Sequence, residues 1–517
     1  MENNQKKIIK SVSIVSVSTM LSRILGLVRE QVFAFMFGAS AVNDAFVAAF
    51  RIPNLLRDMF AEGALASAFV PVFTDVMKKR SIQDAFRVAN LTINALLLIL
   101  SVITILGIIF TPAIVGVIAP GFAGIEGKAQ LTITLTRIMF PFLILVSLAA
   151  LTMGVLNSLH HFATPALAPA TFNLCMIGAG FLICPFLKEP IIGMAIGALL
   201  GGLAQLLIQV PALIKAGFRY IPRINFRDEG VVRIIKLMAP ASIGLAAVQI
   251  NILINTLLAS FLSDGSVSYL NYSFRLMYLP LGVFGVAIGT VSLPTVAACV
   301  SKGDMDGVKK TIAFCLNLLF LLTIPSTIGL IVLSEPIIGL IYEHGKFYRQ
   351  DTIATAHALI CYAFGLFPYA ALKILVPVFY SLKDVRTPVK VSVICVGINI
   401  ILNLILMRFM AHMGLALATS IAAGINMTSL FFILRKRIGG CSLKEGSSYL
   451  QVLIASGIMA LVCWYINISI DGYASRVGLG ILAGGVTFLV SCKLLKVKEI
   501  EILLKLLYPR RKILDNT

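Results

Sequence analysis

The chain has 517 residues, 59% of them hydrophobic and only 13% charged, with a mean hydropathy of +0.96. A soluble domain carries about 25% charged residues and a disordered chain is poor in apolar ones. Both classes are therefore excluded, and a polytopic membrane protein remains. The net charge of +20, from 43 Lys and Arg against 23 Asp and Glu, admits nucleic acid or anionic lipid as a partner until its distribution is known.

The opening MENNQKKIIKSVSIVSVSTMLSRILGL has the positive end of a signal peptide. Its apolar run is broken by Ser and Thr and reaches Arg23 without a small-residue cleavage site, so it reads as a retained first helix. A membrane span needs roughly 20 mostly apolar residues. On that rule fourteen segments are predicted, near 8–37, 42–76, 84–110, 129–157, 163–187, 191–214, 234–262, 267–300, 311–333, 351–381, 387–407, 411–434, 448–470 and 474–492. The second, eighth and tenth are long and carry internal Pro or Gly, so they should bend or break. The glycine runs between Gly193 and Gly201 read as close helix packing.

An even count puts both termini on one side. Loops on that side hold Lys78, Lys79, Arg80 and Arg87, then Lys215, Arg219, Arg223 and Arg227, then Arg435, Lys436 and Arg437, and in the tail Arg510, Arg511 and Lys512. Loops on the other side hold only Lys128, Lys188, Lys346, Arg349, Arg408 and Arg476. The asymmetry predicts cytoplasmic termini and explains most of the positive charge as topology, with no need for nucleic acid. The nine cysteines stand singly in apolar runs, so neither a disulfide framework nor a zinc site is indicated. Segment 217–233 mixes Arg with Phe, Tyr and Ile. It reads either as an interfacial stretch on the cytoplasmic face or as a solvated linker with a basic bias.

The chain repeats itself. SLHHFATP at 158–165 recurs as SLKDVRTP at 381–388, an offset of 223 residues. At that offset Pro71 meets Pro294, Lys79 meets Lys302 and Asn94 meets Asn317, and Phe50-Arg51 meets Phe274-Arg275 with one residue added. The offset spans six predicted helices, an even number, so the copies share one orientation. Two six-helix lobes related by an axis along the membrane normal are expected: an N-lobe at 1–220, a C-lobe at 221–440, and a remainder at 441–517 with the last two helices and the tail.

The chemistry is expected where charges sit inside apolar spans. A charge at the bilayer centre costs at least ~2.5 kcal/mol, so Arg23, Arg29, Arg51, Arg57 and Arg275 together cost upward of ~12 kcal/mol unless a watery cavity or counter-charges receive them. Glu30, Asp44, Asp58 and Glu62 are the nearby acids, and self-neutralising ion pairs would account for part of the set. Arg275 lies in the other copy, with Asp264 as its closest acid in sequence. All five bases are arginines, whose planar forks suit bidentate recognition of phosphate. Arg23 and Arg29 are six residues apart, about 120° in azimuth on an ideal helix. Arg51 and Arg57 share that spacing with Pro53 between them, where a broken helix is credible. A central cationic cavity for an anionic ligand is the resulting picture. Arg137 should snorkel to the interface, Lys373 either faces the cavity or pairs with another helix, and His160 and His161 read as loop histidines. No paired-carboxylate, HExxH, GxSxG or phosphate-loop motif is present, so neither enzyme chemistry nor a cofactor is indicated.

SRILGLVRE (22–30), NDAFVAAFRIPNLLRDMFAEGALASAFVP (43–71), APGFAG (119–124), PRINF (222–226), LPLGVFGVAIGTVSLP (279–294), YEHGKF (342–347) and FYSLKDVRTPVK (379–390) resemble the MurJ/MviN family of lipid II flippases, within the multidrug/oligosaccharidyl-lipid/polysaccharide exporter superfamily. The resemblance runs over nearly the whole chain. It implies an all-α protein of 14 transmembrane helices with two pseudo-symmetric lobes, a V-shaped cavity, and helices 13 and 14 forming a groove for an undecaprenyl tail. It implies lipid II as substrate, carried by alternating access across the bacterial cytoplasmic membrane. It implies membrane lipids and cell-wall synthases as partners, and no cofactor. By motif the family's cavity residues fall on Ser22, Arg23, Arg29, Asp44, Arg57, Glu62 and Arg275, with Arg51 as the basic position before Pro53. Glu30, Asp58 and Phe274 depart from residues found in many or some relatives, and where a sodium site is proposed for some, Tyr380 and Ile400 offer little that a hard cation wants. Competing readings are a flippase for another polyprenyl-linked glycan, a cation-coupled drug exporter, against which five arginines argue, and a non-transporting membrane scaffold for cell-wall synthesis.

Overall fold

The computed structural model describes residues 2–58, 64–440 and 448–500. Every regular element among them is helical, as lipid demands of a chain whose backbone must satisfy its own hydrogen bonds. The order is α1 (Glu2–Phe37), α2 (Ala41–Leu56), α3 (Ala64–Lys79), α4 (Ile82–Ile109), α5 (Thr111–Ile118), α6 (Lys128–Met139), α7 (Phe142–Ser158), α8 (Ala163–Leu182), α9 (Pro190–Leu207), α10 (Val210–Lys215) and α11 (Glu229–Ala259). It continues with α12 (Ser266–Pro280), α13 (Val286–Ser301), α14 (Met305–Val332), α15 (Ser334–Tyr342), α16 (Arg349–Ala363), α17 (Leu366–Ser381), α18 (Arg386–Arg437), α19 (Ser448–Ser469) and α20 (Tyr473–Leu494). Nine of the described helical stretches are long and apolar enough to cross a membrane, and the bent pair α16–α17 makes ten.

The three spans expected to bend or break all depart from regular α-helix. The second is interrupted after α2, where residues 57–58 form a wide π-type turn four residues beyond Pro53. The eighth passes through a π segment at Leu281–Gly285, just after Pro280. The tenth bends by 42° between α16 and α17. In α18, 52 residues long, Ala411 takes φ 46° and ψ −128°, and this kink falls where the sequence separates the spans 387–407 and 411–434.

Two compact units emerge. The first contains the chain through Ser268 together with His344–Phe347. Its core joins Phe33 and Phe37 of α1 to Phe46 of α2, Phe142 of α7, Phe172 of α8 and Met194 of α9. A second cluster packs Phe69 and Phe73 of α3 against Phe86 of α4 and Ile234 of α11. Glycines set the α8–α9 distance: a Cβ on Gly197 would lie 2.5 Å from that of Ala179, and one on Gly201 2.6 Å from the Phe172 ring. His344–Phe347 lies on the end of α1, where the Lys346 amide donates to the Phe35 carbonyl at 2.9 Å. Gly38 and Gly345 both hold φ +61°, and a Cβ on either would meet backbone oxygen within 2.3 Å, so only glycine permits this approach.

The second unit contains Tyr269–Glu343 and the chain from Tyr348 onward. Its core joins Leu321 of α14 to Val452 and Met459 of α19 and Phe488 of α20. Arg349, at the start of α16, pairs with Glu335 and donates to the Tyr473 hydroxyl, which itself donates to Glu343 at 3.0 Å.

The internal repeat is visible in the backbone. α4 and α14 begin and end at equivalent residues, as do the ends of α7 and α17 and the starts of α8 and α18. His160 and Lys383, equivalent positions in the repeated octapeptide, both hold left-handed backbone, φ 62° and 58°. The turn bonds correspond too: His161 N donates to Leu156 O and Asp384 N to Phe379 O, both at 2.9 Å. Asn94 and Asn317 occupy matching places on α4 and α14. Each accepts a hydrogen bond from a tyrosine hydroxyl, Tyr220 at 2.6 Å and Tyr449, in the chain that leaves its six-helix copy.

Candidate functional site

α1 is one unbroken helix, so Arg23 and Arg29 point in different directions: Arg23 is exposed and Arg29 largely buried. Arg29 donates through Nη2 to Glu30 Oε1 at 2.6 Å and through Nη1 to Asn173 Oδ1 at 3.0 Å, with its guanidinium 5.7 Å from the Phe172 ring centre. Asn173 of α8 donates to the Ser22 carbonyl at 3.1 Å, so one amide ties together two of the expected site positions. In the turn after α2, Arg57 donates to Asp58 Oδ1 at 3.2 and 2.9 Å, and Gln249 of α11 donates to Asp58 Oδ2 at 3.0 Å. Arg51 lies half-buried nearly two turns earlier on α2. Ser22, Arg23, Arg29, Glu30, Arg51, Arg57 and Asp58 are thus carried by α1, α2 and the turn that follows. Glu62 lies outside the described residues.

Asp44 stands apart from these arginines. Its side chain is 1% exposed and its four acceptor directions are filled. Oδ1 accepts from Ser268 N at 2.9 Å and Ser268 Oγ at 2.7 Å, while Oδ2 accepts from Gly265 N at 2.8 Å and Lys128 Nζ at 3.1 Å. Lys128, the first residue of α6, is 2% exposed, pairs also with Asp264 Oδ1 at 2.6 Å, and lies 4.1 Å from the Phe122 ring centre. A carboxylate leaves water at tolerable cost only when charge and hydrogen bonds replace that water, and here every replacement is present. Sequence reasoning counted Lys128 as a loop charge and passed over Asn173. A lysine at a helix start reads as solvated, while the asparagine, a lone amide in the apolar run TFNLCMIG, was a legible signal.

In the second unit Arg275 is exposed on α12, ahead of the π segment. The ring of its neighbour Phe274 stands edge-on to Tyr362 at 5.3 Å between centres. Arg137 is exposed and donates to the Ile108 carbonyl at 3.3 Å. Lys373 is exposed and makes no ion pair among the described residues.

Residues 33–483 match the family model described as lipid II flippase MurJ. The chain belongs to the MurJ lipid II flippase family. A Vibrio cholerae serotype O1 protein named probable lipid II flippase MurJ is 38% identical over 433 residues, 82% of each chain. The lipid II flippase MurJ of Burkholderia cenocepacia is 36% identical over 428 residues, 82% of this chain and 83% of that one. A solved structure described as lipid II flippase MurJ in an inward closed conformation aligns with a TM-score of 0.80 at 30% identity, covering 96% of this chain and 98% of the other. An inward-facing MATE family transporter of the MOP superfamily aligns with a TM-score of 0.67 at 14% identity, a likeness of fold alone. MurJ-family membership makes the chain a multi-pass membrane protein of a flippase family. Asp44, Arg51, Arg57, Asp58 and Arg275 lie within the stretch matched to the MurJ model, whereas Ser22, Arg23, Arg29 and Glu30 precede it.

Proposed function

We propose that this protein carries lipid II from the cytoplasmic to the outer leaflet of the bacterial cytoplasmic membrane by alternating access, with both termini cytoplasmic. The observation that carries the reading is family membership across most of the chain, joined to arginines set within apolar helices beside Ser22. Arg23, Arg29, Arg51 and Arg57 of the first lobe and Arg275 of the second receive the diphosphate, whose oxygens match the guanidinium fork. Arg29 and Arg57 rest against Glu30 and Asp58, and substrate phosphate exchanges for those carboxylates. Asp44, Glu30, Asp58 and Glu62 are the gating and charge-pairing acids. Residues 1–220 and 221–440 rock about the site, while the undecaprenyl tail stays in lipid along the last two helices, within 441–517. A membrane potential negative inside is worth about 2.3 kcal/mol per charge per 100 mV and favours outward passage of the anion. Cell-wall synthases are the protein partners, and the transport needs no covalent catalysis and no cofactor.

The test is lipid II reaching the outer leaflet in cells that depend on Arg23→Ala, Arg29→Ala, Arg57→Ala or Arg275→Ala protein at wild-type membrane levels. Lipid II trapped in the inner leaflet is expected. Normal flipping by all four variants refutes the site, and depletion of the protein without lipid II accumulation refutes the substrate.

A further inference from the structure

Between α10 and α11 the chain runs without regular structure, and its backbone is fastened to α4 by two amides. Asn90 donates to the Arg219 carbonyl at 2.9 Å and accepts from the Ile221 amide at 2.9 Å. Asn94 donates to the carbonyls of Ile221 at 2.8 Å and Arg223 at 3.0 Å, and accepts from Tyr220. Phe218 anchors one end, edge-on to Phe86 at 5.5 Å between centres. The acids at the other end are engaged: Arg87 holds Asp228 and Arg80 holds Glu229, each at 2.9 Å. With its backbone tied inward, the strap turns outward three arginines, Arg219, Arg223 and Arg227, interleaved with exposed Ile221, Ile224 and Phe226. None of the three arginines makes an ion pair among the described residues.

We infer that this strap is a docking surface for anionic phospholipid, with the arginines on headgroup phosphates and the apolar side chains in the acyl boundary. Two observations choose a leaflet over any other acidic partner. A stretch long and apolar enough to cross a membrane ends at Lys215, one residue before the strap begins, which is where a headgroup layer is expected. Its exposed face also alternates guanidinium with aliphatic and aromatic groups, the composition of an interfacial segment. A nucleic acid or acidic peptide would leave Ile221, Ile224 and Phe226 in water. The fixed backbone favours binding, because the main chain of the strap need not be ordered when lipid docks.

The experiment uses the full chain with Trp464→Phe, which removes the single tryptophan, and Phe226→Trp as a reporter in the strap. The protein is placed in phosphatidylcholine vesicles containing dibrominated phosphatidylglycerol or dibrominated phosphatidylcholine, and quenching is compared. Each basic residue at an anionic surface favours binding by roughly fivefold. At least fivefold preference for phosphatidylglycerol is therefore expected, falling below about twofold in Arg219→Gln/Arg223→Gln/Arg227→Gln and weakening with salt. Equal quenching by the two lipids, no quenching by either, or an undiminished preference in the triple variant overturns the inference. Relief of phosphatidylglycerol quenching by trace undecaprenyl diphosphate assigns the strap to substrate and overturns it as well. The readout requires no transport, so it stands or falls separately from the flippase reading.

Discussion

Replacing Lys128 by methionine removes the one cation that pairs with Asp44 among the described residues while keeping the length and much of the volume of the side chain. Asp44 and Lys128 are 1% and 2% exposed, so solvent screening takes nothing from their interaction. Removing one partner of such a pair costs about 3–5 kcal/mol. The Asp264 arm adds less than about 1 kcal/mol, because that carboxylate is 48% exposed. Hydrogen bonds from Gly265 and Ser268 remain and keep the loss toward the lower figure. At roughly 2 °C per kcal/mol for a unit of this size, Lys128→Met should unfold about 6–10 °C earlier. The buried free thiol of Cys184, in the first unit, reports the transition through a thiol-reactive dye in detergent. Adding Asp44→Asn to Lys128→Met removes the stranded charge and should recover more than half of the loss, short of about 1 kcal/mol for the Gly265 bond. An unshifted midpoint in Lys128→Met, or a double variant no better than the single one, refutes the electrostatic account.

Asn173→Ala severs Ser22 from Arg29, and lipid II flipping should fall several-fold while the unfolding midpoint drops by no more than a few degrees, about 1–2 kcal/mol; unchanged flipping would dismiss the amide as a positioning group. Asp384 accepts from Thr387 through both its hydroxyl, at 2.7 Å, and its amide, at 3.0 Å, and pairs with Arg437; these hold its carboxyl below the ordinary carboxylate range. Its contribution to stability is therefore complete above about pH 4 and lost as pH falls through the lowered value, so Asp384→Asn should flatten the acid limb of an unfolding-midpoint profile between pH 5 and 3. Gly345→Ala places a Cβ against the Phe35 carbonyl at a left-handed position and should destabilise by at least about 1–2 kcal/mol, measured by the same dye; a neutral result would mean the contact with α1 is dispensable.

Features that depend on local sequence were legible. Internal Pro and Gly foretold where three spans depart from regular helix, and the glycines between Gly193 and Gly201 foretold close helix packing. The repeat was legible because its octapeptide encodes one turn twice. Features made by distant residues were not. Asp44 and Lys128 are 84 residues apart, and Lys128 and Asp264 are 136 apart, so nothing local joins them. Segment assignment differs for a similar reason. The repeat read from the sequence puts the expected second lobe at 221–440, whereas packing gathers α11 with the first unit, where it lies along α3. Sequence similarity records ancestry and contact records assembly.

The matched asparagines Asn94 and Asn317 hold unlike neighbours. Asn94 accepts from Tyr220 in the irregular chain ahead of α11, and Asn317 from Tyr449 in the first turn of α19. Loss of one amide therefore slackens a connector while loss of the other unpins the end of a helix, so a single repeated position governs two mechanically different joints.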